Sequence, residues 1–266
     1  MAFDLQRVCF AYGRRRVFSG LTLQLQKGCF YGLVGPNGCG KTTLLDLLCR
    51  QRTPDAGRIH LDGRRLAQYG RKALARRISL VPQDFLINFP FTAREVVMMG
   101  RYPHLPRFAA PGSRDRAVVD DVMARTDTAR FRCRLVTELS GGERQRVVFA
   151  RALAQDADVM LLDEATSNLD INHSLALLNL AARQVNEKGR TVLATFQDIN
   201  LAAAFCSHLV FMHQGRIAAL GPTAEVLDAG ILRRVFGVRA KVYFEPYTAS
   251  KQVVFKPTEE QHASGV

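Results

Sequence analysis

Cys29-Phe30-Tyr31-Gly32-Leu33-Val34-Gly35-Pro36-Asn37-Gly38-Cys39-Gly40-Lys41-Thr42 is the stretch on which the fold turns. Cys29 to Val34 reads as a buried strand, and Gly35 to Thr42 matches the pattern G-x-x-x-x-G-K-[ST] without a gap. Glycines in such a loop let backbone amides turn inward around phosphate oxygens, where a side chain would block close approach. A helix starting near Lys41 points its partially positive end at the same phosphates. Lys41 is then placed to reach the β- and γ-phosphates of a nucleoside triphosphate, and Thr42 to set its hydroxyl on Mg²⁺.

Outward from this loop, strand and helix periods alternate. Leu21, Leu23 and Leu25 alternate with Thr22, Gln24 and Gln26, the period of a half-buried strand, and Lys27-Gly28 makes a turn. Further β-type runs are Ile78-Val81, Val159-Leu162, Val192-Thr195 and Leu209-Met212, with helical period in segments such as Ser174-Val185. That order predicts a largely parallel sheet covered on both faces. Phe85 to Gln155 reads instead as a mainly helical insertion, with helices around Ala93-Met99 and Asp115-Met123 and a Pro/Gly/Arg-rich loop between them. Lys241-Lys256 has the alternation of a terminal hairpin, and the tail Glu259-Val266 is expected to be disordered.

The bulk properties bound the reading without deciding it. The chain has 266 residues, 47% hydrophobic and 23% charged, enough for one large globular domain or a core with an inserted subdomain. Val159-Leu162 and Leu175-Leu180 fall far short of the ~20 apolar residues of a membrane span. Met1-Ala2-Phe3-Asp4 lacks a basic region followed by an apolar stretch, so the expected compartment is the cytoplasm. Cys9, Cys29, Cys39, Cys49, Cys133 and Cys206 form no C-x-x-C pair, which fits neither a disulfide framework nor a zinc site. The formal charge of +13 suits a polyanionic partner (nucleic acid, an anionic lipid surface or nucleotide) and equally suits a proteome rich in arginine.

A second motif supplies acids for the phosphate loop. Val159-Met160-Leu161-Leu162 ends in Asp163-Glu164, describing a buried strand whose tip meets that loop. Asp163 is suited to bind Mg²⁺ and Glu164 to accept a proton from an attacking water. Cys39, inside the loop and beside a helix N-terminus, is expected to favour the thiolate, so that thiol reagents inactivate the protein and Mg-ATP protects it; the alternative is an inert packed thiol.

Leu139-Ser140-Gly141-Gly142-Glu143-Arg144-Gln145 is an L-S-G-G-x-x-Q signature, and with it the chain closely resembles the ABC ATPase family over essentially its whole length. The resemblance implies an α/β fold: a P-loop NTPase with a RecA-like core, an antiparallel β subdomain and an inserted helical subdomain. Residues 1–86 and 156–240 would form the nucleotide-binding core, 87–155 the helical subdomain with the signature, and 241–266 the hairpin and tail. ATP and Mg²⁺ are the implied cofactors. Gly35, Pro36, Asn37, Gly38, Cys39, Gly40, Lys41, Thr42 and Thr43 would meet the ATP of one subunit, while Ser140, Gly141 and Gly142 bind the γ-phosphate held by a partner subunit. ATP would then be the glue of a homodimer. Tyr12 matches the aromatic that stacks on adenine, and Gln83 the glutamine that contacts Mg²⁺ and the attacking water. Ser167-Asn168-Leu169-Asp170 matches the loop that crosses the dimer interface.

One position departs. The family usually has a histidine after the strand Val192-Thr195, and this chain reads Phe196-Gln197-Asp198-Ile199-Asn200. The Gln197 amide can donate to the γ-phosphate and accept from a neighbour, but it cannot become a cation. The expected catalytic set is Glu164, Gln83, Gln197 and Lys41, with Thr42, Gln83 and Asp163 on Mg²⁺. Gln197 predicts retained ATP binding and slower, still measurable hydrolysis; a tolerated variant with normal turnover and an introduced trapping substitution are the alternatives.

Phe89-Pro90-Phe91-Thr92-Ala93-Arg94-Glu95 through His104 resembles the matching stretch of ATPases serving bacterial uptake of iron–siderophore, haem and cobalamin, as does Val235 to Lys256. Thr92 and Glu95 also read as a capping box. The resemblance implies multi-span membrane permease subunits as partners, a periplasmic or lipoprotein substrate-binding protein acting indirectly, and the cytoplasmic face of the bacterial inner membrane as location. No nucleic acid is expected. Arg14-Arg15-Arg16, Arg64-Arg65 and Arg71-Lys72 are candidates to face an anionic leaflet, or are ordinary solvated turns. The alternatives are a soluble ABC protein of DNA repair or translation, an exporter ATPase with its membrane domain on another chain, and a weakly hydrolysing regulatory subunit. Against the soluble proteins stand a compact insertion without long arms and a single cassette.

Overall fold

The computed structural model describes residues 1–83, 85, 89–166 and 169–257. Asp84, Ser167, Asn168, the expected subdomain boundary at 86/87 and the tail Glu259-Val266 lie outside the described residues. The chain opens with β1 (Phe3–Tyr12) and β2 (Arg15–Leu25), then β3 (Phe30–Val34) and α1 (Lys41–Leu48). Next come β4 (Ala56–Leu61), the short β5 (Arg64–Arg65), α2 (Arg71–Ala75) and β6 (Ile78–Val81). A helical stretch holds α3 (Ala93–Met99), α4 (Ser113–Arg125) and α5 (Gly141–Ala154). Alternation then resumes with β7 (Val159–Leu162), α6 (Ile171–Asn186), β8 (Thr191–Phe196), α7 (Ile199–Phe205), β9 (His208–His213) and β10 (Arg216–Pro222). The short α8 (Thr223–Val226) and α9 (Ala229–Phe236) lead to the hairpin β11 (Ala240–Glu245) and β12 (Ser250–Phe255).

The main sheet has the order β10-β9-β3-β8-β7-β6, all parallel except the edge strand β10. Its strands read as continuous apolar runs because both faces are covered. Phe30, Val34, Met160, Leu162, Val192 and Ala194 point into a core shared with α5, α6 and α7. The intervening Tyr31, Leu33, Leu161 and Leu193 point into a second core with α1 and the antiparallel sheet β2-β1-β4-β5. This two-residue alternation is the geometry of a pleated strand between two layers.

Strand β1 did not stand out in the sequence because its alternation changes phase. Phe3 and Leu5 pair with Leu25 and Leu23, the register then shifts, and Val8 pairs with Leu21. Arg7, with φ 49°, sits at that shift, which moves the buried set from odd to even positions.

The helical stretch is held by capping and by buried, paired arginines. Thr92 Oγ1 accepts the Glu95 amide at 3.3 Å while the Glu95 carboxylate accepts the Thr92 amide at 2.7 Å, the capping box expected at the start of α3. Arg101 donates to Asp115 Oδ1 at 3.0 Å and to the Ala154 carbonyl at 2.8 Å, joining the ends of α3 and α5 to the start of α4. Gly100 allows that approach: a Cβ there would lie 2.3 Å from the Arg151 carbonyl oxygen. The Lys72 ammonium donates to the Leu105 carbonyl, so this member of the basic pairs is spent on packing α2 against the loop after α3. Among the described residues no helix is long and apolar enough to cross a membrane.

Candidate active site

Strand β3, buried at every residue, ends at Gly35, and the loop that follows is shaped by close packing. A Cβ on Gly35 would lie 2.1 Å from the Met212 carbonyl oxygen; at Gly40, with φ 110°, it would lie 2.7 Å from the Phe18 ring. Only glycine fits both places. Gly40 is also the N-cap of α1 and offers no side-chain cap, so the first-turn amides of this helix have no side chain over them. Lys41, 7% exposed, folds back so that Nζ donates to the Gly35 carbonyl at 2.8 Å and the Pro36 carbonyl at 3.3 Å. An ammonium and a set of inward amides thus share one loop, the chemistry of a polyphosphate receptor.

Cys39 corrects an expectation. Its side chain is packed in the second core at 6% exposure. Burial pushes its thiol above the ordinary cysteine range, and the nearby Lys41 charge only partly opposes this. Desolvation outweighs the helix end, so the thiol form is favoured over the expected thiolate.

The acids meet the loop through parallel pairing. Asp163, 4% exposed, follows β7, and its amide donates to the Val81 carbonyl at 2.8 Å. Burial pushes its carboxyl up, while hydrogen bonds from the Thr42 and Thr195 side chains and the Lys41 charge pull it down. Thr42 and Asp163 are therefore in contact, so two of the three expected Mg²⁺ ligands lie together, while the third, Gln83, donates to Glu164 instead. Among the described residues there is no cluster of three or more acidic, cysteine or histidine side chains that could hold a metal alone. A site with one carboxylate and one hydroxyl suits Mg²⁺, which keeps waters and takes its remaining ligands from phosphate oxygens.

Glu164 is the meeting point of three loops. Its backbone has φ 46°, the left-handed region. Its Oε2 accepts from Gln83 Nε2 at 3.0 Å and from Gln197 Nε2 at 2.7 Å, so two neutral amides grip one carboxylate oxygen. Both glutamines follow parallel strands that flank β7 in the sheet, Gln197 directly after β8 and Gln83 two residues after β6.

An open cavity of about 520 Å³ lies between these groups, lined by Tyr12, Arg15, Asn37, Lys41, Thr42 and Thr43 on one side and Gln83, Glu164 and Gln197 on the other. Tyr12, 40% exposed, stands edge-on to Phe10, with the Arg52 guanidinium 5.4 Å from its ring centroid. Arg15 was not singled out by the sequence as a site residue, because it sits within the basic run Arg14-Arg15-Arg16.

Ser140, Gly141 and Gly142 do not line this cavity. They open α5, where Ser140 Oγ accepts the Glu143 amide at 3.3 Å and the Glu143 carboxylate accepts the Ser140 amide at 2.9 Å. Those bonds hold the Glu143 carboxyl below its ordinary range. At the other end of the signature, Gln145 is buried and donates to the Ala165 carbonyl at 3.3 Å, tying α5 to the segment after Glu164. Asp170 caps α6 by accepting the His173 amide at 2.9 Å, and its carboxylate also meets His173 Nδ1 at 2.8 Å.

Residues 18–167, more than half the chain, match the family model described as ABC transporter, and the chain belongs to that family. Over 264 residues it is 40% identical to the cobalamin import ATP-binding protein BtuD of Halobacterium salinarum, covering 99% of this chain and 66% of that protein. The chain thus spans slightly less than two thirds of that relative's length. It is 38% identical over 249 residues to the ferric enterobactin transport ATP-binding protein FepC of Escherichia coli, covering 94% of this chain and 92% of that one. Among solved structures, a chain of an ABC transporter assigned to the metal-chelate type, in an inward-facing conformation, superposes with a TM-score of 0.82 at 30% identity. The match covers 97% of this chain and 98% of that one.

Proposed function

We propose that this chain is the ATP-binding and ATP-hydrolysing subunit of an importer for a metal chelate, such as an iron–siderophore, haem or cobalamin. The observation that carries the hydrolytic part is the convergence of Lys41, Thr42 and Glu164, with Gln83 and Gln197, around one cavity, with Asp163 buried against Thr42. Tyr12 stacks on adenine, the loop amides and Lys41 hold the phosphates, and Glu164 takes the proton of the water that attacks the γ-phosphorus. Mg²⁺, held by Thr42 and Asp163, supplies neutralising charge to the phosphate oxygens when bound. Gln83 and Gln197 orient Glu164 without exchanging protons. The products are ADP and inorganic phosphate.

The cavity holds one half of the phosphate-binding groups, and the signature at the start of α5 holds the other half elsewhere on the chain. That division supports a homodimer in which Ser140 and Gly142 of each copy meet the ATP of its partner, with Asp170 near the crossing. The division into a core, a helical subdomain over 87–155 and a terminal hairpin belongs to the same reading: the helical part carries the signature and moves relative to the loop. Multi-span permease subunits on the cytoplasmic face of the bacterial inner membrane receive that motion, and a substrate-binding protein delivers the cargo to them. The names of the relatives, cobalamin import and ferric enterobactin transport, support the choice of cargo class.

The test is reconstitution of the chain in proteoliposomes with a permease and a binding protein of the metal-chelate importer class. ATP hydrolysis that rises severalfold with a bound metal chelate is the expected result. Stimulation by a non-chelate cargo, or by no cargo from the inside-out direction expected of an exporter, would contradict the importer reading.

A further inference from the structure

We infer that Thr195 is a positioning residue of the hydrolytic site, its one hydroxyl aiming the Asp163 carboxylate and fixing the Glu164 backbone at the same time. This rests on the hydrolytic reading above and adds a residue to it. Pairing of β7 with β8 places Leu162 opposite Ala194, so one step further along the strands Asp163 faces Thr195. Thr195 is 3% exposed and its hydroxyl serves both acids. It donates to Asp163 Oδ1 at 3.0 Å and accepts the Glu164 amide at 2.7 Å. The directions are not interchangeable. A backbone N–H can only donate, so the Thr195 oxygen must accept there, which leaves its single hydrogen for a carboxylate that can only accept.

Each bond answers a local need. Glu164 sits at φ 46°, in the left-handed region where a residue with a Cβ is strained. The bond from its amide to Thr195 holds it there. Asp163 must present one oxygen in a fixed direction to serve a cation, and Thr195 takes up Oδ1 from the strand side while Thr42 approaches from the loop. Sequence periodicity did not mark Thr195, since a β-branched residue ending a buried strand reads as packing alone. Valine would fill the same volume, so the hydroxyl is the part that needs another explanation.

Thr195→Val removes both bonds and keeps the β-branched shape; Thr195→Ser restores the hydroxyl. Three quantities are measured for each: steady-state hydrolysis, Mg²⁺-dependent tightening of a fluorescent ATP analogue, and Tm. For Thr195→Val, kcat is expected to fall about 10–100-fold with KM for ATP changed less than about threefold, as for other residues that orient a metal ligand. The Mg²⁺ concentration giving half-maximal tightening should rise about tenfold, and Thr195→Ser should return both to within about threefold of the parent. Unchanged kcat and Mg²⁺ response in Thr195→Val would overturn the inference. So would a lowered Tm with losses that Thr195→Ser does not repair, the pattern of a packing role. Glu164→Gln, assayed alongside, separates the two levels: its activity matching the parent would overturn the hydrolytic reading itself, whereas an inactive Glu164→Gln beside a normal Thr195→Val would overturn only the role of Thr195.

Discussion

Two helix N-termini in this molecule, those of α1 and α5, are proposed to meet phosphate, and they are finished in opposite ways. The start of α1 is left open: Gly40 caps it without a side chain, its φ of 110° excludes other residues, and Lys41 arches over the loop. The start of α5 is closed on itself, with Ser140 and Glu143 exchanging hydrogen bonds. An open end must find an anion or water for its amides, whereas a capped end is satisfied in the isolated chain. In the proposed dimer, the contrast lets one copy bind ATP by itself while its second phosphate-binding element, folded and capped, awaits a partner. On that proposal ATP joins the copies by bridging the open end of one chain to the closed end of the other.

The largest expected effect breaks the chemistry and leaves the comparison standing. Glu164→Gln should lower hydrolysis about 10²–10⁴-fold, measured by phosphate release, with ATP affinity retained, because in the proposed site the loop amides and Lys41, not Glu164, hold the phosphates. Gln197→His probes the same carboxylate from the side. A histidine can carry a positive charge near neutral pH and exchange a proton where the amide cannot, so turnover should rise severalfold; equal or lower activity would show that the amide grip on Glu164 costs nothing.

A smaller effect sharpens the contrast between the two helix ends. Ser140→Ala removes the side-chain cap of α5 and should cost about 1 kcal/mol of stability in denaturant titrations, while ATP binding by the single chain stays unchanged. The Glu143 side of the same box gives a pH dependence with a definite sign. Its folded carboxyl lies below the ordinary range, so its stabilising contribution is full above that range and fades as pH falls through the lowered value. Protection of the backbone amides at the start of α5, taken relative to their intrinsic exchange rates, should fall in acid, and Glu143→Gln should remove that dependence. Smallest of all, a neutral thiol reagent should label exposed Cys133 well before buried Cys39, whose thiol is pushed upward by burial. Rapid labelling of Cys39 that ATP blocks would restore the expectation of a reactive thiolate.

Much of this site was readable because its chemistry is contiguous. The loop from Gly35 to Thr42 places ligand groups, a turn and a helix start within a few residues, and the pair Asp163-Glu164 ends a buried apolar run, so spacing carries both. The run Leu139 to Gln145, Gln83 and Gln197 were legible through the family resemblance, which matches each to a motif position. What stayed hidden depends on partners distant in sequence. Thr195 gains its meaning only from the register between β7 and β8, and Cys39 from a core assembled out of the antiparallel sheet and α1. Gly40 is set by the Phe18 ring as much as by phosphate, and strand β1 was obscured by the shift at Arg7.

The central claim is that ATP joins an open helix end on one copy to a capped one on another. Sedimentation of Glu164→Gln, which should bind ATP without consuming it, tests this most directly. The account predicts a monomer without nucleotide, a dimer at saturating Mg-ATP, and loss of that dimer when Ser140→Ala is added. A chain that stays monomeric at saturating Mg-ATP, or that is dimeric whether or not nucleotide is present, would contradict it.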